Sequence, residues 1–171
     1  WNKRILRLKL YRSASMFEEH FQDGLLYYAG LPNATEEVAL EINSTFANSM
    51  KGASHYGKLE SNTDAYLSHG SNSIHLWGSN RNKCQQGSMY YSMVTHDLDA
   101  ENSNKYKDAS ERYIHYMHGV NPLNFTYLTN MGRFGAENSA TQIYHSWFAD
   151  GSSKWDEAGV STYGPAPGFV P

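Results

Sequence analysis

Residues 13–50, SASMFEEHFQDGLLYYAGLPNATEEVALEINSTFANSM, decide the fold of this chain. Their first half repeats apolar side chains three or four residues apart, which predicts one buried helix face formed by Phe17, Phe21, Leu25 and Tyr28. Gly30 and Pro32 are expected to end that helix. The second half repeats the same spacing with Val38, Ala39, Ile42, Phe46 and Met50. Because the connection spans only about three residues, the two helices should pack as an antiparallel hairpin.

The start of the second helix carries a capping pattern. Asn33 is expected to cap it, with Glu36 three residues later in the capping-box position. Such a start predicts that the turn after Gly30 is short.

A second helical hairpin is predicted over residues 80–118. Its first helix runs from Asn80 to about Asp97 and should bury Met89, Tyr90, Met93 and Val94. Its second helix starts at Asn104 and should bury Tyr106, Ala109, Tyr113 and Met117. Residues 52–79 lack this period and predict a loop, and no stretch alternates as a strand should. The chain is therefore predicted to be all-α, with hairpins at 13–50 and 80–118 in the layout of an α/α toroid.

Composition limits the classes of function. A chain of 171 residues is long enough for one domain with a real core. The formal net charge is −3 and no long basic run occurs, so nucleic acid and anionic membranes are not expected as partners. Apolar runs fall well short of the roughly 20 residues that span a bilayer. Cys84 is the single cysteine, which excludes an internal disulfide, and it is expected to be a buried small hydrophobe.

Residues 119–171, the C-terminal segment, have almost no helical or strand period. They are rich in Gly, Asn and aromatic residues and hold several carboxylates. Loops of this length are uncommon in compact domains unless they form a functional surface. The composition is typical of a surface that handles a hydroxyl-rich ligand.

Three motifs resemble, in order and spacing, the C-terminal part of the catalytic domain of family 9 glycoside hydrolases, which are mostly cellulases. They are His75-Leu-Trp-Gly-Ser-Asn80, Tyr113-Ile-His-Tyr-Met-His-Gly-Val-Asn-Pro122 and Phe125-Thr-Tyr-Leu-Thr129. The resemblance covers residues 75–168. It implies that residues 1–171 are one incomplete catalytic domain, a partial (α/α)6 barrel made of helical hairpins with long loops.

A fourth motif, Tyr144-His-Ser-Trp-Phe-Ala-Asp-Gly151, resembles one bacterial branch of that family. The commoner pattern is His-His-Arg, which only His145 matches. Tyr144 and Ser146 stand where the other His and the Arg would be, so the roles of those two positions stay open. Trp147 or Arg133 is a candidate to make the missing contacts.

The resemblance implies a secreted, extracellular or periplasmic, endo-β-1,4-glucanase that inverts the anomeric centre. Inversion needs a carboxylate base and a carboxylic acid roughly 6.5–9.5 Å apart. The Asp-Ala-Gly-Asp-like motif that carries the base in this family is absent from this sequence, and so is the segment that carries the acidic Glu. We therefore expect the catalytic pair to lie outside these 171 residues, and the remainder of the catalytic domain to be a partner.

Substrate contacts are expected from flat aromatic rings and convergent polar groups, because sugars present apolar C–H faces edged by hydroxyls. His145 is expected to donate a hydrogen bond to a substrate hydroxyl, and the other candidates are Trp77, Trp147, Tyr144, Arg133, Asp150 and Tyr163. A structural interpretation competes for two of them. Trp77 would be buried between helices, and Asp150 would only turn the chain before Gly151.

Three further points concern a metal site, cofactors and the class of protein. His115 and His118 have a spacing that can chelate a metal, but no third ligand has a place, so no metal site is predicted. Family members often hold structural calcium, yet no Asp-rich loop identifies ligands in this chain, and no cofactor is required. A non-catalytic carbohydrate-binding helical module and a purely structural all-α domain are the interpretations that compete with the glucanase. For the glucanase and for the binding module, the ligand is a β-glucan oligosaccharide or polysaccharide.

Overall fold

The computed structural model describes residues 19–52, 55–61, 64–68, 78–144 and 147–171. Five α-helices lie in these ranges, α1 Glu19–Ala29, α2 Glu36–Lys51, α3 Tyr56–Ser61, α4 Ser79–Thr95 and α5 Ser103–Met117. The C-terminal segment holds two short strands, β1 Thr126–Thr129 and β2 Ser139–Ala140. Single turns of 3-10 helix occur at Ala100–Asn102 and Gly132–Phe134.

Over the described residues the helices form two hairpins, and the predicted start of the first one, residues 13–18 with Phe17, lies outside those residues. α1 packs against α2, α4 packs against α5, and α2 joins the two hairpins by contacting α4. One apolar core runs through all of them and includes Leu26, Ile42, Phe46, Met50, Met93 and Ala109. The all-α prediction is confirmed. In the ranges that the structure describes, no helix combines the length and apolarity needed to cross a membrane.

The buried face of α1 differs from the predicted one. Phe21 is 47% exposed, whereas Gln22 and Leu26 are buried. Leu25 is buried as expected, so the contact with α2 is rotated by about one residue around the helix. Spacing alone predicts that a face exists, but the partner helix decides which edge of it is covered.

The start of α2 also differs. Its N-cap residue is Thr35 rather than Asn33, and no side chain caps it. The Thr35 amide instead donates to the hydroxyl of Tyr28 on α1, at 3.1 Å. The two helices are thus joined at the turn by a contact that a local capping pattern does not reveal.

Three other expectations were wrong. The predicted loop at 52–79 contains the short helix α3. The C-terminal segment contains β1 and β2, which pair in parallel with an irregular register, and strands this short carry no readable alternation. Cys84 is exposed, because its side of α4 faces a groove shared with Tyr91 and Ile114 rather than the core.

The α4–α5 contact is unusually close at a glycine. A Cβ placed on Gly87 would lie 3.0 Å from the Cβ of Tyr113. Next to it, the ring of Tyr90 stacks on Tyr113 with centroids 5.9 Å apart and on Tyr106 at 6.5 Å. All three rings are buried. The missing side chain at Gly87 therefore lets large aromatic rings fill the interface.

Polar contacts fix the remaining elements to the hairpins. Lys51 of α2 makes a 2.9 Å salt bridge with Asp99, and its ammonium group holds the pKa of that carboxyl below its usual value. His55, ahead of α3, has its Nδ1 atom 3.0 Å from Nε2 of Gln86 on α4. Burial lowers the pKa of His55, which favours the neutral ring that can accept this bond.

The end of α5 is closed by one buried side chain. The Asn121 amide donates to the carbonyls of Tyr116 and Phe125, both at 2.7 Å. Its oxygen accepts from the amides of Leu123 and Phe125. This explains physically why an Asn follows the helix at this point, since it satisfies four backbone groups in a turn that has no regular structure.

Replacing Gly87 by Ala should destabilise the protein. Overpacking costs about 1–3 kcal/mol, and the better helix propensity of Ala offsets about 1 kcal/mol of it. We expect a net loss of about 0–2 kcal/mol in the free energy of unfolding, measured by urea denaturation. Gly24→Ala is the matched control, because no atom lies within 4 Å of its Cβ position on α1. That variant should gain about 0.5–1 kcal/mol, and equal effects of the two changes would contradict this account.

Candidate functional site

The C-terminal segment folds back on β1 through Thr129, whose side chain is fully buried. The Thr129 hydroxyl donates to the carbonyl of Ala166 at 2.7 Å and accepts from the amide of Phe169 at 3.2 Å. The Thr129 backbone accepts from Gly168 and donates to Phe169, both at 2.8 Å. One residue thus fixes the course of a strand and of a chain segment almost 40 residues later.

Asn130 continues this anchoring. Its backbone has φ 51°, in the left-handed region that Asn tolerates better than most residues. Its amide donates to the carbonyls of Pro165, at 2.8 Å, and Tyr163, at 3.3 Å. Between those residues, Gly164 has φ 72°, and a Cβ there would lie 3.0 Å from Cα of Ala158. The glycine is therefore required both by conformation and by space.

A loop over residues 152–163 then brings two rings together. The amide of Tyr163 donates to the carbonyl of Lys154 at 2.8 Å, and that of Thr162 to Ser153 at 3.0 Å. These bonds stack Tyr163 on Trp155, with centroids 4.6 Å apart and planes 28° apart. Both rings stay about half exposed, so the pair presents an accessible aromatic surface.

Trp147 forms a second ring pair beside the first. Its indole Nε1 donates to the carbonyl of Trp155 at 3.4 Å. Its ring lies 4.2 Å from that of Phe148, centroid to centroid, and 6.4 Å from that of Phe169. The side chain of Phe148 is 88% exposed, so the pair faces outward rather than into the core.

The two ring pairs line one open cleft of about 560 Å³, which we call the aromatic cleft. Its lining consists mainly of Arg133, Phe134, Trp147, Phe148, Trp155 and Tyr163, with residues 164–167 alongside. Arg133 and Phe134 reach it from the 3-10 turn Gly132–Phe134. No carboxylate belongs to this lining among the residues that the structure describes.

The described lining offers groups for binding rather than carboxyl groups for acid–base chemistry. Flat rings offer apolar faces to sugar C–H groups, and a guanidinium offers several N–H donors to hydroxyl oxygens. General acid–base hydrolysis needs carboxyl groups within reach of the reacting oxygen. The aromatic cleft therefore has the chemistry of a contact surface for a hydroxyl-rich ligand.

The structure brings together three of the residues singled out from the sequence, Arg133, Trp147 and Tyr163. Tyr144 and Asp150 are exposed and do not line the aromatic cleft. Two other candidates, Trp77 and His145, lie outside the described residues, as does Ser146.

Tyr144 and Asp150 have distinct local settings. Tyr144 has φ 59°, a left-handed conformation that is uncommon for a bulky side chain and is enriched at functional sites. Asp150 lies in a turn, where its amide donates to the carbonyl of Trp147 at 3.1 Å and Gly151 follows with φ 72°. This is the turn invoked by the competing interpretation, in which Asp150 only turns the chain before Gly151.

Sequence reasoning missed Phe134, Phe148 and Trp155. Each is an aromatic residue in a stretch without helical period, and Trp155 stands between Lys154 and Asp156. A large ring between charged neighbours in a loop is a usable signal for an exposed contact residue. What the pattern does not reveal is that these rings meet.

The remaining carboxylates of the C-terminal segment are dispersed. Asp156 accepts a 3.3 Å hydrogen bond from the Gln142 amide, Glu157 is half-buried and Glu137 is exposed. Over the described ranges, no group of three His, Cys, Asp or Glu side chains is arranged to hold a metal ion.

Thr129→Val should weaken the anchoring of the C-terminal segment. The change keeps the shape of the side chain but leaves the Ala166 carbonyl and the Phe169 amide without their hydroxyl partner, at a cost of about 1–3 kcal/mol. Urea denaturation should show that loss, and hydrogen exchange at the Phe169 amide should accelerate. Thr129→Ser keeps the hydroxyl and should retain slow exchange. Equal exchange in the two variants would show that the hydroxyl does not anchor the segment.

Comparison with known proteins gives one family. The sequence model of Glycosyl hydrolase family 9 matches residues 6–170, a longer stretch than the motifs at 75–168. No curated protein and no solved structure matched the chain. The family's fold is an (α/α)6 barrel, to which the described helical hairpins correspond, and its members are glycosidases that act on glycans. This chain belongs to glycoside hydrolase family 9.

Proposed function

We propose that the chain is part of an endo-β-1,4-glucanase that hydrolyses cellulose-like glucans with inversion, and that the aromatic cleft is one wall of its substrate-binding surface. The observation that supports this most is the pairing of Trp155 with Tyr163 and of Trp147 with Phe148 around one open cleft. A contiguous exposed patch of apolar rings marks a contact surface more often than scattered single rings do. A glucan chain supplies the flat C–H faces that fit them.

The cleft residues take separate roles in this proposal. Trp155 and Tyr163 form a platform under one sugar ring, and Trp147 contacts a neighbouring ring. Arg133 donates to substrate hydroxyls, which supplies a donor where Tyr144 and Ser146 depart from the family's commoner His and Arg. An uncharged polysaccharide suits this lining, since the rings dominate it.

Four other residues enter the proposal from the family resemblance or from position. His145 donates a hydrogen bond to a hydroxyl near the bond that is cleaved, and Trp77 adds a further platform. Tyr144 and Asp150 are exposed on the same segment as the aromatic cleft and contact the substrate from outside its lining. These roles rest on the motifs rather than on described contacts.

The acid and the base come from other parts of the catalytic domain, outside these 171 residues. The absence of carboxylates from the described cleft lining supports this. The base removes a proton from water, which attacks the anomeric carbon as the acid protonates the leaving oxygen. The two carboxyls stand roughly 6.5–9.5 Å apart to leave room for that water. The reaction uses no cofactor, and structural calcium would have no catalytic part.

A polymeric glucan is met outside the cell, so we propose an extracellular or periplasmic location. The second candidate is a non-catalytic carbohydrate-binding module. The same lack of carboxylates in the described cleft lining favours it. Both candidates predict that this chain binds β-glucan.

Cellohexaose titrated into the 171-residue chain and followed by calorimetry should bind, and binding should weaken in Trp155→Ala and Trp147→Ala. Loss of one half-exposed platform ring removes about 1–2 kcal/mol, which is roughly a five- to thirty-fold rise in Kd. Tyr27→Ala is the matched control, because this exposed ring on α1 is remote in sequence and outside the cleft lining.

Two outcomes would overturn the proposal. Unchanged affinity in both tryptophan variants would mean that the aromatic cleft is not the binding surface. Release of reducing sugar by this chain alone would mean that the acid and base lie within it. For the whole enzyme, NMR of the first product should show the α-anomer, and a β-anomer would exclude inversion.

A further inference from the structure

A buried lysine on α4 lies outside the aromatic cleft and has no part in the proposed glucan chemistry. Lys83 is only 3% exposed. Its ammonium group donates to the carbonyl of Ser68 at 2.6 Å and lies 3.4 Å from the Ser68 hydroxyl. On its other side it sits 4.0 Å above the centre of the Tyr116 ring on α5. The side chain thus joins residues 64–68, which we call the 64–68 loop, to both helices of the second hairpin.

The 64–68 loop is itself tightly bonded. Ser68 is fully buried, and the Asp64 carboxylate accepts hydrogen bonds from the amides of Tyr66, at 3.0 Å, and Ser68, at 3.3 Å. The Tyr66 ring meets Tyr116 edge to face, with centroids 6.4 Å apart. When the loop moves away from the hairpin, Lys83 loses its oxygen partners and enters water.

The groups around Lys83 replace only part of the hydration that its charged ammonium loses on burial. Within the described part of the chain, no carboxylate lies at salt-bridge distance from it, and Asp64 attracts it only across space. A buried ammonium gives up strong hydration, and two oxygen atoms of one serine and one ring replace it incompletely. A neutral amine keeps its N–H donors and avoids most of that cost.

We propose that Lys83 is a proton-linked latch, which holds the 64–68 loop most firmly against α4 and α5 when the amine is neutral and loosens it when the amine is protonated. The device acts on this loop and does not depend on glucan binding. Its reach extends toward the aromatic cleft, because Tyr116 stacks on Tyr127 of β1 with planes 7° apart. β1 leads directly into Asn130.

The direction of the pH effect follows from burial. Desolvation lowers the pKa of Lys83 from 10.5 to about 8, and the Asp64 charge opposes this only in part. In the open loop, the solvated amine has its ordinary pKa. Between these two pH values the open form binds more protons, so raising the pH disfavours opening. Below about pH 8 both forms are protonated and the effect is constant.

Other titratable groups lie around the latch. They are Asp64 and Tyr66 on the loop, Tyr116 on α5 and Tyr127 on β1. Burial raises the pKa of Tyr116, which favours its neutral phenol.

Cleavage of the whole chain by chymotrypsin after Tyr66, mapped by mass spectrometry, measures loop opening. At each pH the cleavage rate of the unmodified protein is divided by that of Lys83→Met. The Met side chain fills the same space without titrating, so the protease's own pH dependence cancels in this ratio. From pH 7 to pH 9 this ratio should fall about tenfold, given a pKa near 8 in the closed loop and 10.5 in the open one. Lys107→Met, which removes an exposed charge on α5, should keep the fall.

A direct titration of Lys83 in the unmodified protein tests the latch even if the Lys83→Met variant does not fold. The Cε carbon shift of Lys83 in the unmodified protein should titrate near pH 8, well below the shifts of the exposed lysines. Titration of Lys83 together with the exposed lysines, near pH 10.5, would overturn the latch. So would a cleavage ratio that is the same at pH 7 and pH 9.

Discussion

The close approach of α4 and α5 at Gly87 is the constraint on which the rest of the structure depends. Without a side chain at that position, the two helices come near enough for Tyr90, Tyr106 and Tyr113 to stack in the interface. The same pair of helices receives α2 through Asp99 and α3 through Gln86. α2 and α3 are therefore placed directly relative to this hairpin.

The C-terminal segment obtains its shape in another way. It buries little apolar surface and has almost no regular structure. Hydrogen bonds from single side chains therefore hold its backbone where secondary structure does not. Asn121, Thr129 and Asn130 together satisfy backbone groups that no helix or sheet would otherwise pair. A long loop can hold exposed rings in fixed positions only when its backbone is bonded in this way.

The sequence was informative where burial follows a period. On α2 and α5 the predicted inward side chains are buried, from Val38 to Met50 and from Tyr106 to Met117, except Ala39, which is half-buried. On α1 the prediction chose Phe21, yet Gln22 is buried instead, since the orientation of an amphipathic helix depends on its partner. For the cleft, the motifs singled out Trp147, but Trp155 and Phe148 escaped notice because their meeting depends on contacts across the loop.

By itself, the sequence determined the family, the helical class and the residue types of the proposed sugar-binding surface, because periodic burial and local motifs depend on residues that are close in sequence. The tertiary structure alone decided which rings share a cleft, since a bond such as that from Thr129 to Ala166 joins residues 37 positions apart. It alone also revealed the latch. Lys83 is an ordinary helical lysine by sequence, and only burial against Ser68 and Tyr116 gives its proton a structural consequence.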